Sequence, residues 1–552
     1  MKTRSLVTLL VAGLSFSHAR AEVQPNALFS DNAVLQQNTI VPVWGSAKEG
    51  EKVTVTFDGD TEATEAKDGQ WMVHLKPHKP GGPFTLTIAG DNTITVNNVM
   101  VGEVWICSGQ SNMAFRFINA ANAKEEAPTA NYPNYRMFVV QRHPAFTPQT
   151  QVAGSWIVCS PTTVQDFSAV GYFFGRDILK ATGEPVGMID SAFSGTAADL
   201  WTSQSGLAKA PELHGYLDLL AKAQAKYDPA ADAQYPQAMA DYEAKLKEWN
   251  DTTLKAYSDS IKAWNEENAK NKAAGLPLTP RPEPNPPKPR PPMEPVGKIP
   301  TGLFNGMIAP LIPYAIKGVV WYQGESNNLK PFEYRTLFPI LIADWREKWG
   351  IGDFPFIFVQ IAPYKDDIPE LRESQLLTWK STDNTAMVVT TDVGDPVRIH
   401  PIQKEPVGVR LALAARALAY GEKIEYSGPE YDSFKVDGNK IILTFTHVGS
   451  GLVAKDGPLK GFEIAGADKK FVEAKAEING NTVVVSSDQV SAPVAARYGW
   501  ANVPDVNLWN KEGLPASIFR TDPESLTADV PPSKKTAPAA ANAESGGEPA
   551  AP

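Results

Sequence analysis

A serine in a sharp turn after an apolar run is the first residue of this sequence that could do chemistry. The segment 104–113 (Val-Trp-Ile-Cys-Ser-Gly-Gln-Ser-Asn-Met) predicts a buried strand that ends in a turn at Ser111. Open α/β sheets bind ligands at the carboxyl ends of their strands. A helix beginning near Ser111 would point free backbone N–H groups at an oxyanion. The same serine could instead simply cap that helix, so the turn alone does not decide between the two roles.

A serine nucleophile needs a base, and histidine suits that role near neutral pH. Of the seven histidines, His400 is the one that closely follows a predicted strand of the sheet, in the segment 391–401. The others lie near the amino terminus, in flanking β regions, or in polar and inserted segments. Elimination therefore favours His400 as the general base, against a structural histidine at the start of the next helix.

A carboxylate usually orients such a histidine. Asp395 and Asp392 stand five and eight residues before His400, and either reaches the imidazole if the loop folds back. Both are equally consistent with turn-forming aspartates beside Gly394 and Pro396. The spacing leaves this choice open.

The composition narrows the class of protein. The chain has 552 residues, 43% hydrophobic and 21% charged, which allows about three folded units of ordinary size. A net charge of −10 gives no broad cationic surface, so we do not expect nucleic acid as a partner. We expect no metal or cofactor, because metal-binding spacings of His or Cys and phosphate-binding glycine loops are missing. Cys107 and Cys159 are either a disulfide or two buried thiols.

Six nearly continuous apolar runs predict the sheet that must position these residues. Such runs are typical of buried strands in a mainly parallel sheet with helices on both faces. Helix-like stretches, such as 334–349 and 407–420, separate several of them. The runs are 99–106, 137–140, 186–189, 319–322, 356–361 and 386–390.

Short alternating runs divided by Gly, Pro and Asp predict a β-sandwich on each side of that sheet. An amphipathic helix of about seven turns over 239–264, followed by a proline-dense segment at 277–300, predicts an inserted arm. Its apolar stripe either packs on its own protein or binds a partner. The predicted boundaries are a first sandwich at 22–98, a core at 99–204 and 301–421, the arm at 205–300, and a second sandwich at 422–520.

The two ends of the chain predict export and disorder. A basic start, an apolar stretch over 6–16 and Ala-Arg-Ala at 19–21 are typical of a secretory signal peptide over 1–21. The apolar stretch is short for a membrane span. We therefore expect a secreted or periplasmic protein with no membrane attachment after cleavage. The segment 521–552, rich in Ala, Pro, Ser and Glu, predicts a disordered tail.

Four motifs, in order along the chain, resemble those of one enzyme family. The first is similar to the nucleophile block of the SGNH, or GDSL-like, hydrolases, and the other three are similar to the sialate O-acetylesterase family. The similarity runs from about residue 24 to about residue 520. The motifs are Gly109-Gln-Ser-Asn-Met113, Phe193-Ser-Gly-Thr-Ala-Ala-Asp-Leu-Trp201, Trp321-Tyr-Gln-Gly-Glu-Ser-Asn327, and Ile399-His-Pro401 with Lys404 and Val407-Gly-Val-Arg-Leu411.

The resemblance implies an α/β protein with a flavodoxin-like SGNH core, and hydrolysis of O-acetyl esters on sugars. Sialic acids are the first expected substrates, with acetylated xylan and other polysaccharides as alternatives. The resemblance also assigns Ser111 as nucleophile and His400 as base. It implies an oxyanion hole formed by the backbone N–H groups of Ser111 and Gly195 and the side-chain amide of Gln323.

The remaining motif residues carry further expectations. Asn112 and Glu325 are expected to bind the substrate. Many SGNH enzymes have an aspartate three residues before the base, where this sequence has Val397. Asp395, Asp392 or a backbone carbonyl must then orient His400, and we favour Asp395.

Two other classes of protein remain as alternatives. A glycoside hydrolase would use two carboxylates, for which Glu325 with Asp392 or Asp395 is the available pair. A non-catalytic carbohydrate-binding protein could use the thirteen tryptophans as stacking platforms. The oligomeric state does not follow from the sequence.

Overall fold

The structure is a computed structural model and describes residues 22–282, 287–292 and 296–522. The predicted signal peptide and all but the first two residues of the predicted tail lie outside the described residues.

The amino-terminal β region is continuous with the core. Strand β8 (Thr93–Gly109) pairs with the preceding strand over its first half and with core strands over its second half. The boundary predicted at residue 98 therefore lies inside one unbroken strand. The seven strands before it are β1 (Gln24–Pro25), β2 (Val34–Gln36), β3 (Val41–Ser46), β4 (Lys52–Phe57), β5 (Asp60–Glu65), β6 (Gln70–Leu75) and β7 (Gly81–Ala89).

The second half of β8 is the centre of a parallel sheet. The later strands of this sheet are β9 (Tyr132–Val139), β10 (Trp156–Cys159), β11 (Val186–Ala192), β12 (Gly318–Tyr322), β13 (Phe356–Val359) and β14 (Thr385–Val388). Their order is β10-β9-β11-β8-β12-β13-β14, in which β10 is antiparallel to β9 and the other neighbours are parallel. If β9 and β10 are left out, the remaining strands lie in the order β11-β8-β12-β13-β14. Numbered along the chain, this is the order 2-1-3-4-5, which is flavodoxin-like. The predicted parallel core is confirmed, and β10 is a strand that the sequence did not predict.

Helices cover both faces of the sheet, as the doubly apolar strands require. Trp105 and Cys107 of β8 lie in one apolar cluster, whereas Val104 and Ile106 lie in the other. Within the described residues no helix is both long and apolar enough to cross a membrane. The helices are α1 (Ala123–Glu126), α2 (Ala169–Thr182), α3 (Gln204–Leu207), α4 (His214–Lys226), α5 (Pro229–Trp249), α6 (Lys255–Ala273), α7 (Pro331–Trp349), α8 (Pro369–Ser381) and α9 (Glu405–Tyr420).

The two faces differ in which helices they carry. Helices α2 and α9 pack against each other on the Trp105 face, and α7 and α8 cover the Val104 face. Cys107 and Cys159 are buried and unbonded, so the alternative of two thiols is confirmed. Burial raises the pKa of Cys159 to about 12, which keeps that thiol protonated.

The inserted arm is one long helical limb with an extended return. A short π-helical turn at Asn250–Leu254 joins α5 to α6. None of the residues of α5 and α6 is fully buried, but the residues of the predicted apolar stripe are half-buried while most positions between them are exposed, so the stripe packs shallowly on its own protein. Trp264 Nε1 donates a hydrogen bond to the carbonyl oxygen of Thr279 (2.8 Å), which fastens the start of the return to the helix.

The carboxy-terminal region is β structure around its own apolar cluster. Two four-stranded sheets have the orders β15-β16-β21-β20 and β19-β18-β22-β24, and β17 pairs with β23. The strands predicted from the sequence in this region are confirmed. The strands are β15 (Glu430–Asp437), β16 (Lys440–Thr446), β17 (Leu452–Ala454), β18 (Phe462–Ala465), β19 (Val472–Glu473), β20 (Lys475–Asn479), β21 (Thr482–Ser486), β22 (Ala495–Tyr498), β23 (Leu508–Asn510) and β24 (Phe519–Arg520).

Candidate active site

The turn after β8 carries Ser111. Gly109 ends the strand with φ +134°, and a Cβ at this position would lie 2.2 Å from the carbonyl oxygen of Tyr322. Glycine therefore lets the ends of β8 and β12 approach each other. The Gln110 N–H donates to the same Tyr322 carbonyl (3.0 Å), and the Gln110 carbonyl accepts two N–H groups of the following turn. The expected helix at Ser111 is wrong, because these bonds close a turn that does not continue as a helix.

The structure brings Ser111 and His400 together across 289 positions of sequence. Ser111 Oγ lies 2.7 Å from His400 Nε2, and both residues are partly exposed to solvent. His400 lies on the loop between β14 and α9. Burial and the positive charge of Lys404 lower the pKa of His400, so its imidazole is neutral near pH 7 and can accept the hydroxyl proton.

Asp395 lies on the same loop but does not contact His400. Its Oδ1 accepts hydrogen bonds from the backbone N–H groups of Val397 (2.8 Å) and Arg398 (3.0 Å), which lower the pKa of this carboxyl group. In the part of the chain that the structure describes, no hydrogen bond joins Asp395 to His400. The expected orienting contact is thus not formed, because the carboxylate closes a turn in its own loop.

The alternative carboxylate is also committed elsewhere. Asp392 forms a two-fold ion pair with Arg410 of α9, with both N–O distances at 2.7 Å. A glycoside hydrolase built on Glu325 with Asp392 or Asp395 would need two carboxylates that face a substrate. Glu325 is 9% exposed and hydrogen-bonded inside the protein. The geometry therefore disfavours this alternative.

Gly195 lies in the loop after β11, next to the Ser111 turn. It has φ +65°, and the N–H of the nearby Phe193 donates to the carbonyl of Gly109 (3.0 Å), which ties this loop to the nucleophile turn. Among the described residues no acceptor is hydrogen-bonded to the backbone N–H of Ser111 or of Gly195. Both groups are therefore free to donate to an oxyanion.

The Gln323 amide is not free in this way. Its Nε2 donates to the Thr196 carbonyl (3.1 Å) and to Asn327 Oδ1 (2.7 Å), and its Oε1 accepts from the Tyr334 hydroxyl (3.1 Å). Both amide N–H atoms are used inside the fold here, so the expected Gln323 donor to the oxyanion stays a prediction that requires one of these bonds to be exchanged. The side chain connects the loops after β11 and β12.

Asn112 and Glu325 are hydrogen-bonded to each other inside the protein, so their expected contacts with substrate stay a prediction. Asn112 is 0% exposed, and its Nδ2 donates to Glu325 Oε1 (2.6 Å) and to the carbonyl of Ile399 (3.0 Å). Its Oδ1 accepts a hydrogen bond from Lys404 Nζ. Burial raises the pKa of Glu325. These groups form the support behind the nucleophile turn.

Lys404 is a buried part of the site to which the sequence assigned no role. Its ammonium lies 4.8 Å from the ring centre of Phe115 and 5.3 Å from that of Tyr322. Burial lowers the pKa of Lys404 to about 7. A signal was present in the sequence: a cation immediately before the first turn of a helix opposes the helix dipole and needs a local partner.

Two cations border the Gly195 loop on its outer side. The ring of Phe193 is faced by the Arg142 guanidinium at 5.0 Å and by the Lys298 ammonium at 5.3 Å. Lys298 Nζ also donates to the carbonyls of Ser194 (3.0 Å) and Gly195 (2.9 Å). The end of the inserted arm thereby holds the loop that carries the free Gly195 N–H. No cluster of three or more His, Cys, Asp or Glu within the described ranges has an arrangement that would hold a metal ion.

Comparison with known proteins places these features in context. Residues 101–248 and 303–416 match the family described as "Carbohydrate esterase, sialic acid-specific acetylesterase", and these ranges contain all four motifs. The sialate O-acetylesterase of Rattus norvegicus is 30% identical over 514 residues, covering 84% of this chain and 86% of that protein. The human sialate O-acetylesterase is 28% identical over 554 residues, covering 89% of each chain.

A solved structure is similar over nearly the whole chain. A carbohydrate acetylesterase from Xanthomonas citri superposes with a TM-score of 0.73 at 33% identity, covering 91% of this chain and 100% of that one. The similarity therefore includes the flanking β regions as well as the parallel core.

Proposed function

Because the chain belongs to the sialic acid-specific acetylesterase family of carbohydrate esterases, and is therefore a carboxylic ester hydrolase, we propose that it removes O-acetyl groups from sialic acids through a Ser111–His400 dyad. The observation that carries the proposal is the 2.7 Å distance between Ser111 Oγ and His400 Nε2. A hydroxyl hydrogen-bonded to a neutral imidazole is an activated nucleophile. The free backbone N–H groups beside it supply the second requirement of acyl transfer.

The reaction then proceeds in two halves. Ser111 Oγ attacks the acetyl carbonyl carbon while His400 Nε2 takes the hydroxyl proton, and the backbone N–H groups of Ser111 and Gly195 donate to the oxyanion. The imidazolium gives its proton to the sugar oxygen as the C–O bond breaks, which leaves an acetyl-serine. Water, deprotonated by His400, attacks this ester, and acetate leaves as Ser111 regains its proton.

We propose that the His400 loop itself orients the imidazole, in place of a third carboxylate. Two contacts support this view: the turn closed by Asp395, and the hydrogen bond from Asn112 Nδ2 to the carbonyl of Ile399 (3.0 Å). Ile399 directly precedes the base. The loop is therefore fixed on both sides of His400 without a carboxylate on the ring.

The charge beside the oxyanion loop favours an anionic sugar. Sialic acids carry a carboxylate, whereas acetylated xylan and similar polysaccharide backbones are neutral. Arg142 is exposed and faces the Phe193 ring, and Lys298 adjoins Gly195, so both lie beside the loop that carries the proposed oxyanion donor. Electrostatic attraction by these groups supports sialic acid esters over neutral esters of the same mechanism.

Two finer assignments complete the proposal. The flavodoxin-like strand order and the nucleophile block support membership of the SGNH superfamily. The basic start, apolar stretch and Ala-Arg-Ala of the first 21 residues support export to the periplasm or the exterior.

Acetate release from three esters tests the proposal. Wild-type protein, Ser111→Ala and the exposed control Ser260→Ala on the arm are compared on an O-acetylated sialoside, an acetylated xylo-oligosaccharide and p-nitrophenyl acetate. We expect Ser111→Ala to lose about a thousandfold or more in kcat on every ester, with Ser260→Ala unchanged.

The results separate the mechanism from the substrate. Ser111→Ala with more than about a tenth of the wild-type kcat would remove Ser111 as nucleophile. Faster turnover of the neutral oligosaccharide than of the sialoside would overturn the substrate assignment and leave the mechanism intact.

A further inference from the structure

We propose that Lys404 is a positioning residue for ester hydrolysis: its buried ammonium fixes the Asn112 amide that joins the Ser111 turn to the His400 loop, and opposes a second positive charge on His400. The inference rests on the dyad proposed above and adds a third residue that touches neither substrate nor reacting atom.

The hydrogen bonds of the Asn112 side chain have a fixed direction. A carboxamide can rotate by half a turn and exchange its donor and acceptor ends. A lysine ammonium only donates, so its bond to Asn112 requires Oδ1 to face Lys404. Nδ2 must then face Glu325 and the Ile399 carbonyl, as observed at 2.6 and 3.0 Å. Lys404 and the Ile399 carbonyl, which can only accept, thus favour the same amide orientation, and Lys404 holds the end of the amide that faces away from the His400 loop.

Burial of the Lys404 ammonium has a cost in free energy. Lys404 is 1% exposed, and it precedes α9, whose amino-terminal dipole is positive. A buried ammonium is costly unless it is paired, and a methionine of similar length would fill the space without that cost. The rings of Phe115 and Tyr322 and the carboxylate of Glu325 offset part of this cost, although burial is the larger effect and lowers the pKa of Lys404 to about 7.

The Lys404 charge also affects the pKa of the base, His400. The Lys404 charge and burial lower the pKa of His400. The pKa of Lys404 is itself about 7, so the ammonium is charged over the acidic range in which His400 titrates. Removing the charge raises the pKa of His400, and a base that must be neutral then needs a higher pH to work. The other charged groups on adjoining elements include Glu325, Glu405 paired with Arg176, exposed Arg398, Asp395 bonded to its own turn, and Asp392 paired with Arg410.

The test is the pH dependence of kcat/KM on p-nitrophenyl acetate for Lys404→Met and Lys404→Arg. We expect the acid limb of Lys404→Met to move up by roughly one pH unit and its plateau to fall about tenfold. Lys404→Arg keeps a positive donor and retains the wild-type limb. Arg398→Gln is the matched control, since it removes an exposed cation two residues from His400, and its limb stays at the wild-type position.

A folded Lys404→Met with an unshifted acid limb would overturn the inference, as would equal losses in Lys404→Met and Lys404→Arg without a shift. If Lys404→Met does not fold, as judged by circular dichroism, Lys404→Gln offers a shorter, uncharged donor and is held to the same criterion. Ser111→Ala is assayed in parallel. An active Ser111→Ala defeats the proposed dyad, whereas an inactive one with an unshifted Lys404→Met limb defeats this inference alone.

Discussion

Polar side chains around Ser111 are used to build the site, because a buried polar group must find a partner. The Gln323 amide joins two loops, and the Asn112 amide joins the nucleophile turn to the base loop. The groups left over for chemistry are one hydroxyl, one imidazole and two backbone N–H groups. The carboxylates of Asp392 and Asp395 also have partners of their own, so neither of them contacts the His400 ring.

Substitution of Asp395 by asparagine tests the dyad at this scale. The Asn Oδ1 can still accept the two backbone N–H groups at 397 and 398, so the turn persists. We expect kcat within about tenfold of wild type, whereas a true triad aspartate loses about ten-thousandfold on the same change. The measurement is kcat on p-nitrophenyl acetate, with Asp395→Ala alongside as the variant that also removes the turn acceptor. A ten-thousandfold loss in Asp395→Asn would restore the carboxylate to the mechanism.

Ser111 and His400 could be paired from the sequence because a strand-end turn and the elimination of other histidines place them at one edge of the sheet. The roles of Gln323, Asn112 and Glu325 could not be obtained in the same way. The partner of a buried amide depends on which loops meet in space, and those loops come from segments between 127 and 287 positions apart. Motif position alone suggested contacts with the oxyanion or the substrate, whereas packing gives each of these side chains a partner inside the fold.

At the scale of elements, helix α9 links the base loop to the core. Its Gly408 N–H donates to the Lys404 carbonyl (3.1 Å), and its Cα faces α2 so closely that a Cβ would lie 2.5 Å from Phe173 Cβ. The small residue permits close packing of the two helices. The packing of α9 against α2 therefore sets the position of Lys404 and of the loop that precedes it.

Two glycine-to-alanine changes within helices test this packing. Gly408→Ala forces α9 away from α2, and we expect a loss of about 1–3 kcal/mol in the free energy of unfolding together with lower kcat. Gly215→Ala in α4 is the matched control, because a Cβ there meets nothing within 4 Å. Alanine favours the helix by about 0.5–1 kcal/mol, so this control gains stability. Urea unfolding measures both, and equal effects of the two changes would contradict the account.

Strands with continuous apolar runs could be predicted from the sequence. Elements whose form depends on local hydrogen bonds could not. The six parallel strands follow from buried runs that need two covered faces. Strand β10 was missed although its four residues are all apolar, two of them buried and two half-buried, and it lies antiparallel at the edge of the sheet. The helix expected after Ser111 is a turn, since the Gln110 carbonyl accepts two successive N–H groups.

At the scale of the whole molecule, the flanking β regions are joined to the core by specific polar contacts. Arg520 Nε donates to Glu373 Oε1 of α8 (2.6 Å), and Gln360 Nε2 donates to Ser517 Oγ (2.9 Å). On the other side, the Tyr314 hydroxyl donates to the Val34 carbonyl (2.6 Å). The sequence predicted two β regions around one α/β core, with a boundary at residue 98. It could not reveal that β8 crosses this boundary, because the composition changes there while the strand does not end.

Activation of Ser111 by His400 is the central step of the proposed reaction, and labelling with a fluorophosphonate measures it directly. This reagent phosphonylates a serine hydroxyl that is activated by a base. We predict one adduct per chain, on the peptide that contains Ser111, with no adduct in Ser111→Ala and labelling slowed about a thousandfold in His400→Ala. An active protein labelled at another serine, or His400→Ala labelled at the wild-type rate, would contradict the account.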